Sequence, residues 1–157
     1  MNGWGRSEMR AVIQRVSRAG VVVNDVQIAA IGSGLLVLLG VENGDDKKAA
    51  EYLAEKTAGL RIFEDAAAKM NLSVLDCAGE VLVVPQFTLL ADCRKGRRPG
   101  FSAAALPELA EPLCEYFVAQ LKLRGVNVQT GQFRADMAVD LVNDGPVTIL
   151  LDSSRNF

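Results

Sequence analysis

The sequence predicts a single α/β domain in which two main helices cover an antiparallel or mixed β-sheet. Its 157 residues suit one domain with a sizeable core, and half of them are hydrophobic. Short apolar or alternating segments separated by turn residues recur along the chain, which is typical of strands. Two longer segments carry apolar residues at helical spacing. No repeat or linker divides residues 9–157, so we expect one domain there.

The amino-terminal part is predicted to consist of strands. Asn24-Asp25 marks a hairpin turn, because both residue types tolerate left-handed backbone conformations. Gly32-Ser33-Gly34 lacks the third glycine and the following helix of a phosphate-binding loop, so we interpret it as a turn. The strands around these turns span residues 10–16, 20–23, 26–31 and 35–41.

A first helix is predicted over residues 47–61, after Gly44. Asp45 and Asp46 are interpreted as capping residues and not as a metal-binding pair, because carboxylates stabilise the N-terminus of a helix. The predicted buried face comprises Ala50, Leu53, Ala54, Thr57 and Leu60.

A second helix is predicted to begin between residues 102 and 107 and to end at Arg124, before Gly125. Pro112 lies inside this segment and is expected to kink the helix or to mark its true start. The predicted core stripe comprises Leu109, Leu113, Phe117 and Leu121.

The remaining segments are predicted to be short strands. Turns are expected at Ala78-Gly79 and at residues 143–146, because glycine, asparagine and proline favour turns. The predicted strands span residues 72–75, 81–90, 126–133, 137–142 and 147–151.

Composition excludes several kinds of site. The chain has no histidine, which excludes Ser-His-Asp and Cys-His catalysis and histidine-ligated metals. Cys77, Cys93 and Cys114 have no CxxC spacing. We therefore expect the protein to lie in a reducing cytoplasm and to have neither a disulfide framework nor a zinc site. No apolar run is long enough to cross a membrane. Residues 1–8 lack the apolar core of a signal peptide and are interpreted as a leader or a cloning remnant.

Residues 84–92 contain the most informative polar side chains. Gln86 and Thr88 interrupt an apolar run that otherwise reads as a buried strand, with Phe87 between them. Pro85 has no N–H to donate, so it marks a strand edge or a bulge, which is a common setting for active sites. In a strand, Gln86 and Thr88 would point to one face and Phe87 to the other. An ordinary edge strand is the alternative interpretation.

Thr88 has two candidate roles. As a nucleophile its hydroxyl would lack a histidine base, so we favour a role in orienting a substrate or water. The backbone N–H groups near Phe87 and Thr88 could then stabilise a developing oxyanion. Cys93 beside Arg94 is a second candidate nucleophile, and it lacks the same base.

The densest cluster of positive charge comprises Arg94, Lys95, Arg97 and Arg98. The net charge is -2 and the sequence pI is about 5.2, so any binding of nucleic acid would have to use a local patch such as this one. A solvated loop without a partner is the alternative interpretation.

A second motif, NDGPVT, occupies residues 143–148. Taken alone it predicts a turn, because Gly-Pro is common in turns. Proline also permits a cis peptide bond, and Gly145-Pro146 could then serve as a rigid backbone probe for a substrate.

With both motifs in view, the chain resembles the D-aminoacyl-tRNA deacylase family. The similarity covers nearly everything from Met9 onward, and the motifs stand in the same order. The matching segments are residues 9–16 (MRAVIQRV), 34–41 (GLLVLLGV), 60–63 (LRIF), 69–71 (KMN), 86–89 (QFTL), 95–99 (KGRRP) and 143–148 (NDGPVT).

The resemblance implies a barrel-like fold and a cytoplasmic homodimer with its active site at the subunit interface. Such an enzyme hydrolyses the ester between a D-amino acid and the 3′-terminal adenosine of tRNA, without a cofactor or a metal. The cis-bonded Gly145 and Pro146 would reach into the partner subunit's site, where rigid carbonyls exclude an L side chain. Glycine has no Cβ to reject, so glycyl-tRNA is an implied second substrate.

The resemblance also implies roles for the other candidate residues. Gln86, Phe87 and Thr88 would line the catalytic pocket, and the 2′-hydroxyl of the tRNA would assist hydrolysis. The loop that carries Arg94, Lys95, Arg97 and Arg98, which we call the basic loop, would contact the tRNA backbone. Where this chain has Pro85, the family usually carries serine, and a related branch with proline is less strict about chirality. We therefore expect hydrolysis to be retained, with Pro85 affecting the tolerance of small L-amino acids.

Three alternative functions remain open from the sequence. One is a tRNA-binding module without catalysis, in which the same pocket only senses the acceptor end. Another is a hydrolase of small esters with Thr88 or Cys93 as its nucleophile. The third is a structural oligomeric domain.

Overall fold

A computed structural model describes residues 8–157, in which one large sheet is covered by two helices. Six strands form this sheet in the order β2-β1-β3-β6-β7, with β8 on the other edge of β1, while β4 and β5 form a separate hairpin. The helices are α1 (Lys47–Gly59) and α2 (Pro107–Leu123). The strands are β1 (Arg10–Val23), β2 (Val26–Ile31), β3 (Gly34–Gly40), β4 (Phe63–Glu64), β5 (Met70–Leu72), β6 (Glu80–Pro85), β7 (Asn127–Thr130) and β8 (Ala138–Asp152).

Strand β1 organises the sheet. Its first half pairs with β3 and its second half with β2, and β8 runs antiparallel along the opposite edge. The two segments predicted at residues 10–16 and 20–23 are therefore one strand. Asn24 and Asp25 have φ angles of 50° and 64°, as a tight hairpin turn requires, and the predicted turn is confirmed.

The other side of the sheet is parallel. β3 pairs with β6, and β6 with β7. Gly34 allows the first of these contacts, because a Cβ there would lie 1.8 Å from the carbonyl oxygen of Glu80. The backbone N–H of Ala30 on β2 donates to Oε1 of Gln129 on β7 at 2.9 Å, which joins the two ends of the sheet. The sheet is nearly closed, and the predicted barrel-like α/β fold is confirmed.

Helix α1 forms as its sequence predicts. Asp46 is the N-cap, and its Oδ1 accepts a hydrogen bond from the backbone N–H of Ala49 at 3.0 Å. Asp45 Oδ2 accepts from the N–H of Glu42 at 2.6 Å, so both aspartates bond backbone amides. Four of the five residues predicted for the buried face are buried, and the fifth, Leu60, is half-buried at the C-cap.

Helix α2 begins with Pro107, contains Pro112 and is followed by Gly125 at a φ of +90°. The predicted core position of Leu109 is wrong, since that side chain is 39% exposed. Its neighbour Ala110 takes the place, because the buried stripe is displaced by one residue at the start of the helix. The buried residues of α2 are Ala110, Leu113, Cys114, Phe117 and Leu121.

The core has two parts, one on each face of the sheet. The larger part lies between the sheet and the helices, with Phe117, Leu53 and Leu121 among its fully buried side chains. The smaller part fills the inside of the barrel, and its residues are Val16, Ala19, Val21, Val23, Ala29, Ile31, Leu36, Leu82 and Val84. Strands β1, β3 and β6 contribute to both parts, because successive side chains of a strand point to opposite faces.

The strand pattern differs from the prediction at both motifs. The strand predicted over residues 81–90 ends at Pro85, and Phe87–Leu90 form a 3-10 turn. The turn predicted at residues 143–146 lies within β8, whose pairing with β1 shifts register on both sides of Val16. The strands predicted at residues 72–75 and 126–133 are also misplaced or too long, since β5 and β7 are shorter.

Residues 1–7, most of the predicted leader, lie outside the described part of the chain. Glu8 is described, and its carboxylate lies 3.1 Å from Nη2 of Arg10. Within residues 8–157, no helix is both long enough and apolar enough to span a membrane.

Candidate active site

Residues 86–90, which we call the motif turn, leave the sheet where β6 ends. Pro85 is the last residue of β6, and the N–H of Gln86 still donates to the carbonyl oxygen of Leu39 at 2.8 Å. The chain then coils, with the N–H of Leu89 bonded to the carbonyl of Gln86 at 3.3 Å. A 3-10 turn leaves its first amides without a partner in the turn, here those of Phe87 and Thr88.

The motif turn is packed against the end of β3 and tied to the start of β1. A Cβ on Gly40 would lie 2.6 Å from Cδ2 of Leu90 and 3.1 Å from the carbonyl oxygen of Gln86, so a larger residue would displace the motif turn from β3. Arg10 donates from Nη1 to the carbonyl oxygen of Leu89 at 2.9 Å. Sequence analysis missed Arg10 and Gly40, although both lie in segments that matched the family.

The strand predicted for Gln86 and Thr88 is wrong, yet their side chains contact each other. Nε2 of Gln86 donates to Oγ1 of Thr88 at 2.9 Å, across the 3-10 turn and not along one face of a strand. Phe87 is 58% exposed and packs edge-to-face on Phe101, with ring centroids 5.1 Å apart. The hydroxyl of Thr88 is exposed to solvent and already accepts one hydrogen bond.

Two cavities open beside the motif turn. One, of about 470 Å³, is largely apolar and is lined by Phe87, Phe101, Phe133 and the start of α2. The other, of about 550 Å³, contains Thr88 together with Asp136 and Met137. Both are lined by Pro85, Gln86, Phe87 and Arg134. The motif turn is therefore the wall between two spaces, each large enough for part of a small ligand.

The cysteines differ in their surroundings. Cys114 lines the apolar cavity, and burial, aided by Glu115 and Glu111, raises the pKa of its thiol to about 12. A thiol that stays protonated at neutral pH is a poor nucleophile. Cys93 is exposed in the basic loop, and neither of the two cavities beside the motif turn contains it.

The basic loop is a closed excursion from the sheet. Asp92 and Gly100 pair through two backbone hydrogen bonds of 2.7 and 2.9 Å, and all residues between them are exposed. Nε and Nη2 of Arg94 donate hydrogen bonds to the carboxylate of Asp92 at 2.9 and 2.8 Å. This guanidinium lowers the pKa of Asp92 to about 2. The positive charge of Arg94 is therefore offset, and Lys95, Arg97 and Arg98 supply the charge of the loop.

Residues 143–146, which we call the Gly-Pro segment, form an exposed part of β8 with a cis bond between Gly145 and Pro146. Arg15 of β1 supports it from below. Its side chain is buried and donates to the carbonyl oxygens of Asp144 at 3.0 Å and Ile62 at 2.7 Å. This role of Arg15 was not visible in the sequence, because the residue lies within a predicted strand and no nearby motif marks it.

The side chain of Asn143 forms hydrogen bonds that span the Gly-Pro segment. Its Oδ1 accepts from the N–H of Val147 at 3.0 Å, and its Nδ2 donates to Oγ1 of Thr148 at 3.2 Å. A Cβ on Gly145 would lie 2.8 Å from Cγ2 of Val147, and the φ of +133° also favours glycine. The two cavities beside the motif turn contain neither Gly145 nor Pro146, so this structure does not bring the two motifs together.

No cluster of three or more cysteine, aspartate or glutamate side chains in the described part of the chain is arranged to hold a metal ion. The groups present at the motif turn are the amide of Gln86, the hydroxyl of Thr88, backbone N–H groups and the guanidinium of Arg134. These groups can orient a polar substrate and stabilise negative charge.

The model of a known family, described as D-Tyr-tRNA(Tyr) deacylase, matches residues 12–152. The chain belongs to this family. A D-aminoacyl-tRNA deacylase of Koribacter versatilis is 62% identical over 149 residues, which cover 95% of this chain and all of that relative. A D-aminoacyl-tRNA deacylase of Clostridioides difficile is 60% identical over the same shares of the two chains. The resemblance inferred from the motifs is confirmed.

Two solved structures share the fold of this chain. A structure described as a c-Myc DNA unwinding element binding protein shares 44% identity and a TM-score of 0.86, covering 91% of this chain and 97% of that one. A structure described as a probable eukaryotic D-amino acid tRNA deacylase has a TM-score of 0.81 at 19% identity, covering 92% of this chain and 99% of that one. This second likeness supports the deacylase-family fold alone.

Proposed function

We propose that this member of the deacylase family hydrolyses the ester of D-aminoacyl-tRNA, releasing the amino acid and tRNA. The observation that carries the proposal is the motif turn, where Gln86, Phe87 and Thr88 are presented between two cavities. Family membership supplies the substrate class, and the groups at the turn suit hydrolysis of an ester. A tRNA-binding module would need the cavities but not the arrangement of donors at their wall.

Thr88 acts by positioning in this proposal. The amide of Gln86 donates to its Oγ1 at 2.9 Å, and an amide has no basicity with which to remove the hydroxyl proton. The hydroxyl hydrogen is then directed to the ester or to a water. The amides of Phe87 and Thr88 stabilise the oxyanion, and the 2′-hydroxyl of the terminal ribose assists attack.

Selection against L-aminoacyl esters is assigned to the Gly-Pro segment. It is exposed, yet Arg15 and Asn143 hold its backbone on both sides. Rigid carbonyls in such a segment leave no room for a Cβ of the wrong hand, while glycine has none to reject. D-aminoacyl-tRNA and glycyl-tRNA are the substrates in this proposal. Pro85, which lines both cavities, sets how strictly small L-amino acids are refused.

The site is proposed to be completed by a second copy of the chain. The Gly-Pro segment lies outside the two cavities of its own protomer, so we assign it to the site of the partner subunit in a homodimer. A heterodimer of one Gln86→Met and one Gly145→Ala protomer tests this assignment. If the segment acts in the partner's site, the site with the intact motif turn also receives an intact Gly145, so rapid release should stay selective for the D ester. Rapid release without that selectivity would place both motifs in the site of one protomer.

The basic loop is proposed to contact the tRNA backbone through Lys95, Arg97 and Arg98, with Arg94 tied to Asp92. Raising the salt concentration should then weaken tRNA binding, since each phosphate contact releases counterions. If the affinity for tRNA does not change with salt, the basic loop does not contact the tRNA backbone.

Release of the amino acid from D-tyrosyl-, L-tyrosyl- and glycyl-tRNA tests the proposed activity. We expect rapid release from the D and glycyl esters and release from the L ester at the uncatalysed rate. Gln86→Met, which keeps the length of the side chain and removes its amide, should slow release. Gln27→Met on exposed β2 is the matched control and should behave as the wild type. Binding of all three tRNAs without release would favour the tRNA-binding module.

A further inference from the structure

Arg134 lies opposite the motif turn and lines both cavities beside it. It belongs to the connection between β7 and β8, which is anchored by the N–H of Gly131 bonded to the carbonyl of Val83 at 2.9 Å. A further bond of 3.2 Å joins the N–H of Ala135 to the carbonyl of Gln132. The connection is thus tied to β6 at Val83, three residues before the motif turn begins at Gln86.

The backbone of Arg134 is unusual. Its φ of +66° lies in the left-handed region, which residues with a side chain occupy only at an energetic cost. Glycine would fit this position without that cost. Residues held in such conformations concentrate at ligand-binding sites, where the surrounding structure determines them. At this position the chain nevertheless has a long, positively charged side chain, and it lies beside two cavities.

The charge of Arg134 is available to a ligand. Its side chain is exposed, and within residues 8–157 no carboxylate forms an ion pair with it. Asp136 lines only the cavity that contains Thr88, whereas Arg134 also lines the cavity of Phe87 and Phe101. An anion near the shared boundary can therefore approach Arg134 on the side away from Asp136.

We propose that Arg134 binds the 5′-phosphate of the terminal adenosine of the aminoacyl-tRNA. This inference rests on the proposed function and adds a substrate contact to it. In the proposed placement, the ester lies beside Thr88 and the flat base lies beside the aromatic side chains of the other cavity. The ribose joins the two. The phosphate of that ribose lies at the boundary between the cavities, where Arg134 is the cation.

Two substrates separate this contact from others. D-tyrosyl-adenosine has the ester, ribose and base but no 5′-phosphate, whereas a D-tyrosyl acceptor-stem minihelix has all four. Arg134→Gln should raise KM for the minihelix about tenfold, as expected for a lost charge-assisted hydrogen bond, and should leave D-tyrosyl-adenosine unchanged. The dependence of minihelix binding on salt should fall by about one counterion.

Arg134→Lys and Arg134→Gly sharpen the test. Lysine keeps the charge and should restore most of the minihelix affinity, while glycine should match glutamine in KM without loss of thermal stability. Arg155→Gln is the matched control, because Arg155 is also an exposed arginine at a φ of +60° but stacks on Tyr52. It should leave both substrates unaffected.

Two results would overturn the proposal. Equal losses on both substrates would assign Arg134 to the base or the ester, and no loss on the minihelix would remove it from the site. Inactivity of the wild-type protein toward both substrates would instead reject the proposed function.

Discussion

The motif turn and the Gly-Pro segment are built in opposite ways. The motif turn leaves the sheet at a proline, coils tightly and forms the wall of two cavities. The Gly-Pro segment stays within the longest strand of the protein and lies at the surface. One region therefore offers concave space and hydrogen-bond donors, and the other offers a projecting backbone.

The two regions are stabilised by arginines from the same strand. Arg10 donates to the carbonyl of Leu89 behind the motif turn, and Arg15 donates to the carbonyl of Asp144 behind the Gly-Pro segment. Both arginines bind main-chain oxygens and so fix backbone positions, and Nε of Arg15 also forms a 3.7 Å ion pair with the exposed carboxylate of Asp144. We infer that backbone placement is the property that both regions must keep.

The largest expected effect is that of Arg15→Met. It leaves the carbonyl oxygens of Ile62 and Asp144 without their buried donor, which should lower the free energy of unfolding by about 3 kcal/mol. Urea unfolding measures the loss. Arg18→Met is the matched control, because Arg18 is exposed on the same strand and pairs only with Asp140. A similar cost for both variants would show that Arg15 does not support the segment.

Gly145→Ala is expected to have the next largest effect. The new Cβ would meet Cγ2 of Val147 and Nη2 of Arg15 at 2.8 and 3.1 Å, in a left-handed conformation that costs about 2 kcal/mol. Discrimination between D- and L-tyrosyl-tRNA should fall, because the carbonyls are displaced. Gly32→Ala is the control, since nothing lies within 4 Å of a Cβ there. Unchanged discrimination in a folded Gly145→Ala protein would remove the segment from chiral selection.

Thr88→Val tests the motif turn with a smaller expected effect. Valine keeps the shape and removes the hydrogen bond from Gln86, so kcat should fall about tenfold, the worth of about one such bond. Single-turnover hydrolysis of D-tyrosyl-tRNA measures this change. A fall of several thousandfold would instead indicate that Thr88 is the nucleophile.

Asp92→Asn should have the smallest effect. The carboxylate has a pKa lowered to about 2, so any stability that it contributes is present above its ordinary pKa and is lost only as the pH falls through about 2. Arg94 thus stays paired at neutral pH. The substitution frees Arg94, so the salt dependence of tRNA binding should increase by about one counterion. Affinities at two salt concentrations measure this change. Unaltered salt dependence would mean that Arg94 does not reach the tRNA.

Much of the fold follows from local patterns. Alternation, the Asn24-Asp25 turn and the Asp46 cap predict β2, β3, α1 and the two halves of β1, because these features act over short distances. The motif turn was wrongly predicted to be part of a strand. Leu89 and Leu90 lengthen an apolar run, and such a run has the sequence pattern of a buried strand. Its coiling depends on Gly40 and Arg10, which are distant in the chain.

The Gly-Pro segment was misassigned for the converse reason. Asparagine, aspartate, glycine and proline in succession favour a turn, but pairing with β1 and the support of Arg15 keep the chain extended. The candidate residues themselves were visible as polar or conformationally special positions. The cavities and the supporting arginines were not, since they arise only from contacts between residues far apart in sequence.

Because the Gly-Pro segment belongs to β8 and is not a mobile lid, it needs no closing motion before it meets a ligand. β8 pairs with β1 on both sides of this segment, from Ala138 to Asp152. If the segment excludes L-aminoacyl esters as proposed, it does so during the encounter itself, without a slow opening and closing step.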